Sequence, residues 1–367
     1  MILHLLTDEK FTDYTIKQFS GSEMCSEFVL IPSNGLMNLV ALTDRCTIVR
    51  QNSPEFDALL SRLDQYTCII LHGLMWGSWQ QQILDNVPDN VKVAWVFWGG
   101  EIYSRQVEYY KFLAPITKAI CLFRRMVKGN KKATSDDIAY RYFQKIDYCL
   151  TDEREEFEYA SRFAQKQYEY QWYNYYSLEE TIGTLLSERC AGNNIMIGNS
   201  ANAKNNHFDI LWKMHCNRKK LNEANRKLVV PLSYGDVWVR ERVKRFGKRL
   251  FGDRMQALDT FISRDEYNAL MLSCSTMILG YMQPAGQGNI ITGLWLGMRV
   301  YLSEKSMTYQ YFKRIGCVVY SMESDLKKYG YAPMEEKDVE KNRAVLKQWY
   351  SKESMHKQNL EIVKALS

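Results

Sequence analysis

Short apolar segments that alternate with helical patterns constrain the fold of this 367-residue chain more than any other feature. In the first part of the chain, strand-like runs occur at residues 2–6, 27–31, 67–71 and 91–98. A second alternating block has strand-like runs at 194–198, 227–232, 257–261, 277–281, 299–302 and 317–320. Buried strands separated by helices pack as a parallel sheet with helices on both faces. The sequence therefore predicts an α/β protein with two Rossmann-like domains.

The stretch between the two blocks, residues 152–187, is charged and aromatic and interrupts the alternation. It is typical of a helix followed by a connection between domains. Two domains also fit the length of the chain, because a single core seldom grows beyond about 250–300 residues. We therefore predict an N-terminal domain at 1–187, a C-terminal domain at 188–334, and a C-terminal helix at 335–367 that packs back toward the N-terminal domain.

Composition argues against several classes of protein. The chain is 46% apolar and 25% charged, as ordinary globular domains are, and no uncharged apolar stretch reaches the about 18 residues that span a bilayer. Its net charge of +6 is modest, so no nucleic-acid partner is predicted. Nine dispersed cysteines without a CxxC pair indicate reduced thiols and a cytoplasmic location. The five histidines lack the spacing of metal ligands, and no metal or other cofactor is predicted.

A polar turn follows the first strand-like run of the second block. Gly198, Asn199, Ser200 and Asn202 lead from this strand toward a helix that begins near Asn206. A glycine lets the backbone approach a ligand, and Ser and Asn side chains can hold an anionic group together with the free amides of a helix start. Ligands of α/β sheets bind outside the carboxyl ends of the strands, where this turn is predicted to lie. A capped turn without a ligand is the alternative.

Two further turns are predicted at the same sheet edge. A glycine-bearing turn between an apolar strand and a helix carries Tyr281, Gln287, Gly288 and Asn289. Its backbone N–H groups and the helix dipole can bind a pyrophosphate and stabilise a departing nucleoside diphosphate without a metal. The other turn contains Ser233 and Tyr234, which would contact phosphate, sugar or acceptor. The structural alternatives are a flexible loop for the first turn and a simple helix start for the second.

Five short motifs occur in a fixed order along the chain: His72-Gly73, Trp98-Gly99-Gly100-Glu101-Ile102-Tyr103, Gly198-Asn199-Ser200 followed by Asn205 or Asn206, Val230-Pro231-Leu232-x-Tyr234, and Leu279-Gly280-Tyr281 with Gln287 and Thr292 downstream. In this order they resemble the bacterial TDP-Fuc4NAc:lipid II Fuc4NAc transferases, the 4-α-L-fucosyltransferase family of enterobacterial common antigen synthesis. The resemblance extends from about Leu71 to Leu302. Where that family has Arg-Gln-Gln-Gly, this chain has Gly286-Gln287-Gly288-Asn289 and lacks the basic side chain.

The resemblance implies the GT-B fold, in which two Rossmann-like domains face each other across a cleft. It implies a glycosyltransferase (a hexosyltransferase) that takes a 4-acetamido-4,6-dideoxyhexose-type sugar from a TDP-Fuc4NAc-like nucleotide diphosphate sugar donor. The implied acceptor is a polyprenyl-diphosphate-linked glycan of surface polysaccharide biosynthesis, and the enzyme would lie peripherally on the inner face of the bacterial plasma membrane. Two alternatives stay open: a nucleotide-sugar epimerase of GT-B-like fold and a non-catalytic carbohydrate-binding protein.

Two residues of the N-terminal domain are candidates for acid–base catalysis. Glu101 and His72 each follow a predicted strand, at the edge where the acceptor is expected to bind. Either side chain can orient or deprotonate an acceptor hydroxyl group. The structural alternatives are a helix cap or surface ion pair for Glu101 and a buried, hydrogen-bonded imidazole for His72.

A basic segment of the N-terminal half is a candidate for membrane contact. Arg124, Arg125 and Lys128 follow the apolar group 119–123. A segment that is both basic and partly apolar can rest on an anionic membrane surface, which suits a lipid-linked acceptor. A solvated basic helix is the alternative.

Overall fold

The structure is a computed structural model that describes residues 1–32, 39–74, 78–128, 137–222 and 225–367. Its strands are β1 (Ile2–Leu6), β2 (Ser26–Leu30), β3 (Thr47–Ile48), β4 (Cys68–His72), β5 (Lys92–Val96), β6 (Tyr148–Leu150), β7 (Glu169–Gln171), β8 (Asn194–Ile197), β9 (Leu228–Pro231), β10 (Met255–Leu258), β11 (Cys274–Leu279), β12 (Arg299–Leu302) and β13 (Tyr320–Ser321). Its helices are α1 (Thr12–Phe19), α2 (Pro54–Ser61), α3 (Ser78–Asn86), α4 (Gly100–Tyr103), α5 (Gln106–Tyr109), α6 (Pro115–Lys128), α7 (Asp137–Phe143), α8 (Arg154–Ala164), α9 (Leu178–Ile182), α10 (His207–Cys216), α11 (Arg218–Asn222), α12 (Val237–Phe251), α13 (Arg264–Leu272), α14 (Gln287–Leu296), α15 (Met307–Arg314), α16 (Leu326–Tyr329), α17 (Glu336–Tyr350) and α18 (Lys352–Leu366). No helix within the described ranges is both long and apolar enough to cross a membrane.

Within the described residues, the first sheet has seven parallel strands in the order β3-β2-β1-β4-β5-β6-β7. β1 pairs with β2 on one side and with β4 on the other, so that Leu5 is opposite both Val29 and Leu71. Every residue of β1 and β4 is buried, which is why these strands read as nearly continuous apolar runs. The strand order reverses between β1 and β4.

The second sheet, counted over the same described ranges, has six parallel strands in the order β10-β9-β8-β11-β12-β13. This is the strand order of a Rossmann fold, and it reverses between β8 and β11. In open α/β sheets, ligands bind outside the carboxyl ends of the strands at such a reversal. The ends of β8 and β11, at Ile197 and Leu279, therefore mark where a ligand of this sheet is expected.

The chain divides into two compact units, and neither is one continuous segment. Unit 1 consists of Met1–Arg105, Ala133–Ser177 and Lys352–Ser367, and unit 2 of Gln106–Lys132 and Leu178–Ser351. Each unit contains one of the two sheets. The divisions between the units do not coincide with the predicted boundaries at 187 and 334.

The C-terminal tail forms two helices that belong to different units. α17 packs against α14 in unit 2, whereas α18 packs against α1 in unit 1. α18 adds three apolar side chains to the core around β1: Ile362, Val363 and Leu366. The Ala365 carbonyl accepts a hydrogen bond from Lys92 Nζ at 3.2 Å. The single helix predicted at 335–367 is thus divided at Ser351, and only its second part belongs to unit 1.

Two polar side chains of unit 2 explain why a segment from the first half of the sequence belongs to it. Asp209 accepts hydrogen bonds from the N–H groups of Ile116 and Thr117, at 2.8 and 2.9 Å, and so caps the start of α6. The Asn206 side chain accepts from the Ala114 N–H at 2.7 Å. These long-range bonds fix α6 in unit 2, although the sequence predicts it in the N-terminal domain.

Candidate functional site

The turn after β8 has a backbone conformation that glycine adopts easily. Gly198 has φ of +66°, and its N–H donates to the Ile278 carbonyl at 2.9 Å. A Cβ atom at this position would overlap His207 Nε2 and would lie 3.0 Å from Asn205 Oδ1. Gly198 is therefore needed for packing over His207, whichever ligand the turn binds.

Four polar side chains beside this turn form one hydrogen-bonded group, which we call the polar cluster: Asn199, Ser200, Asn205 and Tyr281. Asn205 Nδ2 donates to the Ser200 carbonyl and to the Tyr281 hydroxyl, both at 2.8 Å. The Tyr281 hydroxyl donates to Asn199 Oδ1 at 3.0 Å. Ser200, Asn205 and Tyr281 are almost fully buried, so these bonds hold them in fixed orientations. The polar cluster joins the carboxyl ends of β8 and β11, where the strand order reverses.

Some polar atoms next to the polar cluster make no hydrogen bond to any residue that the structure describes. They are Asn205 Oδ1 and both ring nitrogens of His207. Burial lowers the pKa of His207 to about 4, so this imidazole is neutral at physiological pH. Buried polar atoms without a partner are uncommon in native proteins, and here they lie beside the turn that is predicted to bind a ligand.

The turn after β9 lies alongside the turn after β8. The Ala201 N–H donates to the Tyr234 carbonyl at 2.8 Å, and the Ala201 carbonyl accepts from the Asp236 N–H at 3.0 Å. The Tyr234 side chain is exposed and Ser233 is half-buried. Both predicted residues are therefore accessible at the same sheet edge as the polar cluster.

The glycine-bearing turn after β11 lies against the polar cluster. Gly286 has φ of +69°, and a Cβ atom there would lie 2.8 Å from Asn199 Nδ2. α14 begins directly after it, at Gln287, and the first N–H groups of a helix have no partner within the helix. The two predicted phosphate-binding turns thus meet in unit 2, next to the positive end of the α14 dipole.

The three predicted residues at the start of α14 have different surroundings. Gly288 is exposed, and the atom nearest to a Cβ at this position would be a Thr181 methyl group at 3.8 Å. Gln287 donates through Nε2 to the Tyr350 hydroxyl at 3.3 Å, so its amide is engaged with α17. Asn289 is half-buried. Gly288 is therefore the position where an anion can approach the backbone most closely.

Lys204 is a residue that our sequence reasoning missed. It lies in the short 3₁₀ turn Ala203–Asn205, next to the polar cluster, and only 5% of it is exposed. Its Nζ lies 5.2 Å from the centre of the Tyr109 ring, and burial lowers its pKa to about 8, which leaves it mostly charged at neutral pH. A lone basic residue in a polar turn was its only sequence signal. The neighbouring Asn202 is exposed and caps the same turn by accepting from the Lys204 N–H at 3.0 Å.

In unit 1, Glu101 lies at the carboxyl ends of β4 and β5, as predicted, but its side chain is buried. Its Oε1 accepts from the N–H groups of Leu74 and Trp98, at 2.9 and 3.3 Å, and from the Trp95 indole at 3.2 Å. Burial raises the pKa of this carboxyl. Through these contacts Glu101 ties two strand ends together. Its burial excludes the surface ion pair considered above, and its assignment as the acceptor base stays a prediction.

His72 lies in a buried chain of hydrogen bonds. The Trp98 indole donates to the Tyr175 hydroxyl at 2.6 Å, and that hydroxyl is 3.3 Å from His72 Nδ1. The Ser26 hydroxyl donates to the Met24 carbonyl at 3.0 Å and so can only accept from His4, which sets the direction of the chain: the Tyr175 hydroxyl donates to His72 Nδ1. His72 then carries its proton on Nε2 and donates to His4 Nδ1 at 3.1 Å, and His4 Nε2 donates to Ser26 Oγ at 3.2 Å. Burial lowers the pKa of both imidazoles, to about 3 for His4. His72 is thus a neutral imidazole with both nitrogens engaged, and its contacts favour the structural alternative over catalysis.

A second buried carboxyl of unit 1, Glu156, also escaped sequence reasoning. It accepts from Thr151 Oγ1 at 2.6 Å and from the Tyr103 hydroxyl at 3.2 Å. Burial raises the pKa of Glu156 to about 8, and the nearby Glu101 contributes to the rise. Perturbed carboxyls often mark functional sites, but internal networks also produce them. Glu156 lies in the charged stretch that the sequence predicts as a helix and connection, where nothing distinguishes it from its acidic neighbours.

The residues predicted to contact a membrane are partly engaged within unit 2. Arg124 forms a 2.6 Å ion pair with Asp236, and its guanidinium lies 4.4 Å from the centre of the Trp238 ring. The Arg125 guanidinium lies 5.8 Å from the centre of the Tyr110 ring. The side chain of Lys128 lies outside the described residues. Arg124 is therefore held by contacts within unit 2, and membrane contact by Arg124, Arg125 and Lys128 stays a prediction.

Among the described residues, no three or more His, Cys, Asp and Glu side chains are grouped so that they could hold a metal ion. The candidate site thus consists of the polar cluster, the turn at Ser233 and Tyr234, the start of α14 and Lys204, all in unit 2.

Comparisons with solved structures establish the fold. A sucrose-phosphate synthase from Thermosynechococcus elongatus matches with a TM-score of 0.62 at 11% identity, over 100% of this chain and 98% of its own. The Anabaena protein HepE in complex with UDP and glucose matches with a TM-score of 0.60 at 10% identity, over 100% and 98%. A glycosyltransferase from Rickettsia africae matches with a TM-score of 0.59 at 12% identity, again over 100% and 98%. No protein-family model and no curated protein matches the sequence. The chain has the GT-B fold, so the predicted α/β class is confirmed.

Proposed function

We propose that the protein is a glycosyltransferase that moves a sugar from a nucleoside diphosphate donor onto an acceptor. The observation that carries the proposal is the contact between Gly286 and Asn199, which brings the start of α14 to the polar cluster at the strand-order reversal. The GT-B fold supports it, because solved structures of this fold include glycosyltransferases, and one similar structure contains UDP and glucose.

The start of α14 has the properties that a diphosphate-binding site needs. Backbone N–H groups at a helix start, together with the helix dipole, attract phosphate oxygens, and the exposed Gly288 leaves room for them. Lys204, in the turn beside the polar cluster, adds a positive charge at neutral pH. Negative charge grows on the departing diphosphate as the bond from sugar carbon to phosphate oxygen breaks. Preorganised N–H donors and a cation lower the energy of that transition state.

The sequence resemblance supports a more specific proposal for the two substrates. The donor is a TDP-linked 4-acetamido-4,6-dideoxyhexose bound in unit 2, with Ser233 and Tyr234 available for contacts to its sugar or base. The acceptor is a polyprenyl-diphosphate-linked glycan bound at the carboxyl edge of the first sheet. The product would then be an intermediate of surface polysaccharide assembly in the cytoplasm.

Two measurements test the proposal. Calorimetry with TDP, UDP and GDP identifies the nucleotide, and TDP is expected to bind most tightly. The preferred nucleotide sugar is then incubated with and without a polyprenyl-diphosphate-linked acceptor, and we expect the donor to be consumed only when the acceptor is present. Conversion of the donor without any acceptor would indicate an epimerase, and glycan binding without nucleotide binding would indicate a carbohydrate-binding protein.

A further inference from the structure

The outer side of α6 carries four exposed apolar side chains, which we call the α6 stripe: Leu122, Phe123, Met126 and Val127. Their exposed fractions are 39%, 64%, 80% and 71%, respectively. Residues three and four positions apart are neighbours on a helix surface, so these side chains form one continuous patch. Single exposed apolar residues are ordinary, but an apolar patch of this kind marks an interaction surface.

The α6 stripe faces outward because other contacts fix the opposite side of the helix inside unit 2. Thr117 is buried, and its hydroxyl donates to Asp209 at 2.6 Å. Near the other end of α6, Arg124 is held by its ion pair with Asp236 and by the Trp238 ring. A rotation of α6 that hid the stripe would break all of these contacts. The exposure is therefore built into the fold of unit 2.

Basic side chains accompany the stripe. α6 contains no acidic residue, and Lys118 is exposed one turn before Leu122. α6 and α12 both pack against α10. α12 has four exposed basic residues, which we call the α12 basic face: Arg242, Arg245, Lys248 and Arg249. The single acidic residue of α12, Glu241, is paired with Lys244 at 3.6 Å. Arg124 of α6 and Arg242 of α12 lie against the same Trp238 ring, at 4.4 and 4.5 Å from its centre, so the two helices are neighbours. The exposed charges of both helices are therefore predominantly basic, which is complementary to an anionic partner.

We propose that unit 2 docks on an anionic lipid surface, with the α6 stripe inserted among the lipid chains and the α12 basic face against the headgroups. An apolar helix face accompanied by cations is the arrangement of helices that lie in a membrane interface, and anionic lipids attract Lys and Arg side chains near the surface. The apolar side chains of the α6 stripe insert into the lipid, whereas Arg124 stays in its ion pair with Asp236. The proposal does not depend on the donor chemistry.

Co-sedimentation of the full chain with lipid vesicles tests this surface. One set of vesicles contains phosphatidylglycerol and phosphatidylcholine, the other phosphatidylcholine alone, and no nucleotide sugar is added. The wild type is expected to bind the anionic vesicles at least tenfold more tightly than the neutral ones. The double variant Phe123→Ser/Met126→Ser should bind anionic vesicles at least tenfold more weakly than the wild type, because two of the four inserted side chains are removed. Arg245→Gln/Arg249→Gln should weaken the same binding about fivefold and reduce its salt dependence.

Phe261→Ser is the matched control, since Phe261 is 90% exposed in unit 2 but lies outside α6; its vesicle binding should equal that of the wild type. All variants should keep the wild-type Tm, because the replaced side chains are exposed. Equal vesicle binding by the Phe123→Ser/Met126→Ser variant and the wild type would overturn the proposal, as would a wild type that binds neither kind of vesicle. A wild-type dimer in sedimentation velocity that this double variant abolishes, without vesicle binding, would assign the stripe to a second copy of the chain. Nucleotide binding by the double variant should be unchanged, so a negative vesicle result leaves the proposed enzymatic function standing.

Discussion

At the scale of single residues, Asn205 holds the ends of two strands together through one amide group. Its Nδ2 bonds both to the Ser200 carbonyl after β8 and to the Tyr281 hydroxyl after β11. Tyr281 in turn orients Asn199, which lies against Gly286. The side chains at the reversal are therefore ordered without a ligand. Such preorganisation suits a site that stabilises developing charge, because little reorganisation is needed during the reaction.

Replacing Gly288 tests the anion site with little disturbance of the fold. A Cβ there would meet only a Thr181 methyl group at 3.8 Å, which is ordinary van der Waals contact. We expect Gly288→Val to weaken nucleoside diphosphate binding about tenfold or more, because its side chain fills the approach to the first N–H groups of α14. Gly288→Ala should have a smaller effect. Calorimetry gives the affinities and thermal unfolding shows that the fold is intact. Equal affinities of the wild type, Gly288→Val and Gly288→Ala would show that the diphosphate does not bind at the start of α14.

The buried carboxyl of Glu156 predicts a pH dependence of stability. Its pKa is raised from 4.5 to about 8 in the folded protein, so the folded state keeps a proton that the unfolded state releases. The contribution of Glu156 to the free energy of unfolding should therefore fall as pH rises from about 5 to about 8, by on the order of 1 kcal/mol per pH unit at most. The buried imidazoles of His4, His72 and His207, whose pKa values burial lowers, act in the opposite direction below about pH 6.5. Glu156→Gln keeps the neutral form and should remove this contribution, which is measured as the difference between the wild type and the variant in urea unfolding at each pH.

Glu158→Gln is the matched control for Glu156→Gln, because Glu158 lies on the same helix with its side chain 56% exposed. It should leave the pH dependence as in the wild type. Glu101, whose pKa burial also raises, and the buried histidines contribute equally to the wild type and to Glu156→Gln, so their effects cancel in the difference between the two proteins. An identical pH dependence of the free energy of unfolding in the wild type and in Glu156→Gln would contradict the assignment of a neutral Glu156.

At the scale of helices, α6 and α14 begin in opposite ways. The first N–H groups of α6 are bonded to Asp209, whereas α14 follows Gly286, which has no side chain to cap it. Helix starts without a cap can bind an anion, and capped ones are satisfied within the protein. The same unit thus uses one helix start for structure and leaves the other available for a ligand.

Removal of the Asp209 carboxylate should loosen α6. We expect Asp209→Ala to cost about 1–2 kcal/mol, as the loss of a helix cap does, and to accelerate amide exchange in α6 about 5- to 30-fold. Hydrogen exchange with mass spectrometry measures the effect by segment. Asp209→Asn keeps one acceptor oxygen and should lie between the wild type and the Ala variant. Unchanged protection of α6 in Asp209→Ala would show that other contacts hold this helix.

At the scale of the whole molecule, the chain passes between the two units four times, after Arg105, Lys132, Ser177 and Ser351. Each unit is therefore completed by a segment that is distant in sequence. Unit 2 takes α6 from the first half of the chain, and unit 1 takes α18 from its end. Folding of either unit consequently depends on long-range contacts, which form late and slowly in most proteins.

Deletion of residues 352–367 should destabilise unit 1 selectively. The deletion removes four buried apolar side chains, Met355, Ile362, Val363 and Leu366, and each such side chain contributes about 1.5–3 kcal/mol. The sum approaches the whole stability of a typical domain, about 5–15 kcal/mol. Hydrogen exchange should show lost protection in β1 and α1 and retained protection in β8 and β11. An equal loss of protection in both sheets would contradict the division into two units. As a control, Ile362→Val should change the protection only slightly.

Local patterns in the sequence were sufficient to predict four strands of the first sheet, the six strands of the second sheet and the turns that form the candidate site. Parallel strands buried on both faces must be apolar along their length, so β1 and β12 stand out as runs without any structural knowledge. Glycine and Asn or Ser directly after a strand have few other uses than a tight turn, which is why the turns of the candidate site could be named. Their meeting at Gly286 and Asn199 followed from the rule that parallel strands share a carboxyl edge.

Features that depend on contacts between residues distant in sequence could be established only from the tertiary structure. β6 and β7 are only three residues long and lie among charged and aromatic residues, so only the neighbouring strands make them recognisable. The strand predicted at 257–261 is observed as Met255–Leu258. His72 became a neutral, fully bonded imidazole through Tyr175, which is 103 positions away. α6 belongs to unit 2 through Asn206 and Asp209, because a cap supplied from another part of the chain leaves no trace in the sequence of the helix that it fixes.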